Sequence, residues 1–118
     1  MAPQHTTGAE VPTGVRPSER ITAEVTSWPG VTAGHGSRGE WAFRVGRREI
    51  GHLHGDHAAH FGFPKDVFDA YFAAGRIVHH PVFPDRRGPG ARRIEDDSDV
   101  EDVIAILREQ YDRVVSRS

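Results

Sequence analysis

The sequence predicts an α+β fold: an antiparallel sheet of about four or five strands with about three helices packed mainly on one face. Two observations lead there. Residues 40–45 alternate apolar and polar side chains with period two, the pattern of a strand with one buried face. Three other stretches repeat their apolar residues at helical spacing, and they surround a run of mostly short-linked strands.

Length and charge narrow the function. A chain of 118 residues holds one hydrophobic core and one site. A net charge of -2 and a pI near 6.4 lack the basic excess of a general nucleic-acid binder, so no nucleic-acid partner is expected. Arg86, Arg87, Arg92 and Arg93 are followed by Glu95, Asp96, Asp97 and Asp99, which makes this a solvated mixed-charge loop. With no cysteine there is no disulfide framework, thiolate metal site or cysteine nucleophile, and any metal must be held by histidine and carboxylate. No segment has the apolar length of a membrane span and no charged start precedes an apolar run, so a soluble, cytoplasmic protein without a membrane partner is expected. Nothing in the sequence specifies an oligomeric state.

Taken in order, residues 1–17 are rich in Pro, Gly and Thr and read as a disordered tail ahead of a single domain over 18–116. Ser18 suits the cap of a short helix with Ile21, Val25 and Trp28 on one face, stopped by Pro29-Gly30. Val31 to Ala33 form a short strand, and the glycines at 34, 36 and 39 a loop containing an exposed His35. Residues 40–45 and 48–54 pair through a two-residue turn at Gly46-Arg47. Pro64 opens a second helix whose Val67, Phe68, Tyr71 and Phe72 face the core and which Gly75 ends. Residues 77–80 form a strand ended by Pro81, and residues 91–95 another after a turn-rich loop. Ser98 and Glu101 make a capping box for a last helix with Val100, Val103, Ile104, Leu107, Tyr111 and Val114 on one face.

Titratable groups concentrate in residues 48–60, where His52, His54, His57 and His60 account for half of the eight histidines. A regular register across the hairpin sets Val45 opposite Arg48, Phe43 opposite Ile50 and Trp41 opposite His52. That register places His52 and His54 on the same face as Trp41 and Phe43. Adjacent strand residues point to opposite faces, so only one of His79 and His80 can join them. Histidine titrates near neutrality, and a cluster can divide into proton acceptor and donor. Asp56 is the better candidate to orient a ring nitrogen, because the same register puts Glu49 on the opposite face from His52. No phosphate-binding glycine loop, dinucleotide fingerprint or nucleophile elbow is present.

The run Arg48-Glu49-Ile50-x-His52-x-His54-x-x-His57, with His80-Pro81 and a C-terminal amphipathic helix downstream, resembles the luciferase-like domain family that includes the fungal luciferases. Phe43-Arg44-Val45-Gly46-x-Arg48-Glu49-Ile50-Gly51-His52-Leu53-His54-Gly55-Asp56 is most similar to its bacterial members. The likeness spans roughly residues 21–111. It implies an oxygenase that adds dioxygen to an enolisable pyrone or phenolic lactone, with a small molecule and dioxygen as partners and no organic cofactor. His52, His54, His57, Asp56 and His80 would then be catalytic and Trp41, Phe43 and His60 substrate-binding, and the resemblance selects His80 over His79. Fungal luciferases carry an N-terminal membrane anchor, and this sequence departs from them there. Two other readings stay open: a zinc, iron or copper protein with His52, His54 and His80 as ligands of a divalent metal, and a noncatalytic small-ligand module with structural histidines.

Overall fold

The structure is a computed structural model and describes residues 14–117. The tail expected over 1–17 falls mainly on residues outside that span. Nine elements follow in the order α1 (Pro17–Val25), β1 (Val31–His35), β2 (Trp41–Val45), β3 (Arg48–His54), β4 (Ala58–Gly62), α2 (Lys65–Ala73), β5 (Val78–His79), β6 (Pro89–Arg93) and α3 (Asp97–Ser116). The strands make one antiparallel sheet in the order β1-β2-β3-β4-β6-β5, and the α+β fold is as expected with six strands in place of four or five.

The additional strand is β4, which lies in the middle of the sheet. Its sequence, Ala-Ala-His-Phe-Gly, has no β-branched residue and reads as a loop, yet pairing on both sides holds it extended.

Helix α3 lies on the sheet and contributes more buried residues to the core than any other element. Val100, Val103, Ile106 and Leu107 are fully buried, as are Ile21 and Val25 of α1 and Phe43 of β2. Burying each such side chain contributes about 1.5–3 kcal/mol. Ile106 was not on the expected face, whereas Ile104 and Val114 are only partly buried. The cap of α3 is Asp96, whose side chain accepts from the Asp99 N–H, in place of the expected Ser98. On α2, Phe68 is buried but Phe72 is 44% exposed, so its expected place in the core is corrected. Arg92 is half-buried and paired with Asp99 and Asp102, which ties β6 to α3.

One irregularity sets the geometry of the site. Val45 pairs with Arg48 and Arg44 with Glu49 as expected, but Phe43 then pairs with Gly51, Ala42 with His52 and Trp41 with Leu53. Ile50 is the extra residue of a β-bulge. A one-residue slip reverses the sidedness of everything after it. Leu53 therefore points to the helices, and His52 and His54 point away. Gly51 permits the bulge because a Cβ there would lie 2.7 Å from Leu107 Cδ2 and 3.0 Å from Phe61 Cδ1.

Candidate functional site: a histidine cluster beside a cavity

The bulge corrects the expected company of the histidines. Trp41 and Phe43 belong to the helix side, whereas His52 and His54 occupy the opposite face. It also brings Glu49 to the side of His52, with Glu49 Oε2 2.7 Å from His52 Nδ1. A carboxylate at that distance accepts the Nδ1–H and leaves the Nε2 lone pair free.

Register supplies the third ring, since His52 pairs with His60 across β3 and β4. The segment after β5 supplies the fourth, His80. Ring centroids are 5.0 Å apart for His52 and His54, 5.4 Å for His52 and His60, 4.2 Å for His54 and His60, and 4.2 Å for His60 and His80. His60 is therefore the hub, in contact with all three others. His79 lies across the sheet against Phe68 and Phe72, so the choice of His80 agrees with the observed faces.

Burial and mutual repulsion favour the neutral form of His60, His54 and His80. His60 is only 7% exposed, and burial, then the neighbouring His54, His80 and His52, pull its pKa down to about 3. Burial also lowers His54, with His52 adding to the effect, and lowers His80, with His52 and His54 adding. The Val82 N–H donates to His80 Nδ1 at 3.0 Å, which puts the proton of the neutral ring on Nε2. His60 Nδ1 is buried with no hydrogen-bond partner among the described residues.

A cavity of about 780 Å³ opens where α1 meets the end of the sheet, walled by Thr22, Ala23, Trp41, Leu53 and His54. That size suits a small organic molecule. Trp41 Nε1 donates to Thr22 Oγ1 at 3.0 Å, which fixes the indole in this wall. His54 is the residue common to the cavity and the cluster.

Other expected site residues lie elsewhere. Phe43 is fully buried beneath the helices. Asp56 accepts from Arg16 Nε at 2.8 Å and from the Ser18 N–H at 2.9 Å, so it anchors the start of α1 and orients no histidine. His57 is exposed in the turn before β4, outside the group of four. Glu49 is the residue that sequence reasoning set aside. The signal for it was Gly51, since a glycine inside a strand pattern marks a bulge.

The Luciferase domain family model matches residues 47–110, more than half of the chain. The chain belongs to the luciferase domain family. No curated protein and no solved structure matches it. The luciferase domain match contains Glu49 and all four clustered histidines, whereas α1 and Trp41, which wall the cavity, precede it. Among the described residues of this luciferase-domain chain, no helix is long and apolar enough to cross a membrane.

Proposed function

We propose that this protein is a luciferase-like small-molecule oxygenase that adds dioxygen to an enolisable pyrone or phenolic lactone, without an organic cofactor. The reading rests on His54, which is at once a member of the imidazole cluster and part of the wall of a cavity of substrate size. An imidazole of the cluster takes the enol proton, and the electron pair left behind is shared between the enol oxygen and the adjacent ring carbon. That carbon bonds to dioxygen and is oxidised, and dioxygen is reduced to the peroxide level. The proton returns to the terminal oxygen, so the product is a hydroperoxide with the atoms of substrate plus O2. Trp41 and Leu53 give the cavity apolar walls, which disfavour water beside the reactive anion.

The test is oxygen uptake with a hydroxylated α-pyrone. Wild type is expected to exceed the uncatalysed rate, and His54→Ala to lower the enzymatic rate by roughly a hundredfold with the fold intact by circular dichroism. Lactone binding without oxygen uptake, with or without added metal ions, replaces the enzyme reading with a ligand-binding module.

A further inference from the structure

His60 brings a buried nitrogen into the cluster with nothing to bond. The residue is 7% exposed, and its Nδ1 has no hydrogen-bond partner among the described residues. Buried polar atoms are rarely left in that state. One ligand nitrogen from each of His52, His54 and His60 lies within 4.8 Å of the other two. Bonds of about 2.0–2.1 Å to a tetrahedral ion hold nitrogens about 3.4 Å apart, so modest ring rotation closes the set. Three neutral imidazoles suit divalent zinc, iron, copper or nickel.

Two further contacts distinguish ligands from neighbours. Glu49 Oε2 accepts from His52 Nδ1–H at 2.7 Å, the carboxylate–histidine arrangement that orients and strengthens a ligating ring. His80 uses Nδ1 to accept from the Val82 N–H, so its Nε2 carries a proton and is a donor with no lone pair to offer. His60 thus takes the place that the metal reading of the sequence assigned to His80.

We propose that His52, His54 and His60 bind one divalent first-row transition ion, with Glu49 fixing the His52 ring and His80 remaining a proton donor beside the site. The proposal deepens the oxygenase reading by giving the same site a cofactor, and it rests on that reading only for what the ion does. With the ion bound, the three lone pairs would serve as ligands, and the ion would supply Lewis-acid stabilisation of an enolate at the same site.

Binding is measured without substrate, on tag-free protein stripped by a chelator and titrated with cobalt(II) by visible absorbance and with zinc(II) by calorimetry. One ion per chain is expected, with the ligand-field bands of imidazole-bound cobalt. Affinity should fall at least tenfold in His52→Ala, His54→Ala and His60→Ala, about tenfold or more in Glu49→Gln, and little in His79→Ala. His60→Ala removes a buried side chain, and if it fails to fold the exposed His54→Ala carries the same test. Absence of saturable binding at one equivalent, or binding that survives both His52→Ala and His54→Ala, overturns the site. A loss in His80→Ala as large as that in His60→Ala overturns the assignment of donor and ligand. Oxygen uptake undiminished in stripped protein overturns the ion as cofactor and leaves the oxygenase reading standing. Stoichiometric binding without oxygen uptake supports the site and removes that reading.

Discussion

Asp56 shows how a single carboxylate can serve the frame instead of the chemistry. It sits two residues beyond His54, yet its oxygens face Arg16 and the free Ser18 N–H at the start of α1, where a helix favours negative charge. Hydrogen bonding from Ser18 and then the Arg16 guanidinium hold its pKa down to about 2. A carboxyl whose folded pKa is depressed binds its proton more readily in the unfolded chain, so its stabilisation is full above about pH 4 and lost as pH falls through about 2. Asp56→Asn is expected to lower stability at pH 7 by about 1–2 kcal/mol in urea unfolding and to flatten the acid limb below pH 4, with oxygen uptake per folded molecule unchanged. A large loss of uptake in the folded variant would return Asp56 to the catalytic group. At this scale strand parity made the shared face of His52 and His54 legible, though with the wrong company, and the family resemblance singled out His80. The sequence hid Glu49 and the central position of His60, since both depend on pairing that parity alone does not contain.

The bulge at Ile50 is the element-scale event from which the site follows. A regular hairpin would turn His52 and His54 into the core beside Phe43, where buried imidazoles need partners. One extra residue turns them to the other face, sets Gly51 against Leu107 of α3 and puts Leu53 in the core. The hairpin, its turn and the long amphipathic α3 were readable from apolar period and turn residues, although the cap of α3 fell two residues earlier than expected. The bulge and β4 were not, because a bulge is a defect in period and β4 gains its shape from the neighbours it pairs with. Gly51→Ala is expected to destabilise the protein by about 1–3 kcal/mol, since the new methyl meets Leu107 and Phe61 at less than contact distance. The double variant with Leu107→Ala should lose less than the sum of the two single losses, because the second change removes one of the clashing groups. Strict additivity in urea midpoints would mean that strand and helix do not meet at this point.

Across the whole molecule, helices and core occupy one side of the sheet and the imidazole cluster the other, so acid should act on the second side first. His60, His54 and His80 all have folded pKa values below the ordinary histidine value, with His60 near 3. Between that value and about 6.5 the unfolded chain binds protons that the folded chain refuses, so the slope of unfolding free energy against pH is positive and stability falls as pH is lowered. Each proton held in excess by the unfolded chain contributes about 1.4 kcal/mol per pH unit. For the metal-free protein, the urea midpoint is therefore expected to be level above about pH 7 and to drop steadily from pH 6.5 toward pH 4, before the Asp56 window begins. His60→Gln keeps a polar group without a titrating ring, and should shift the curve at pH 7 while making its slope between pH 6 and 4 shallower. The slope separates two origins of the loss: a packing defect displaces the curve equally at every pH, whereas a lost titration changes its steepness. A midpoint that stays constant from pH 7 to pH 4 would show that His54, His60 and His80 accept protons as readily when folded as when unfolded, and their lowered pKa values would have to be abandoned.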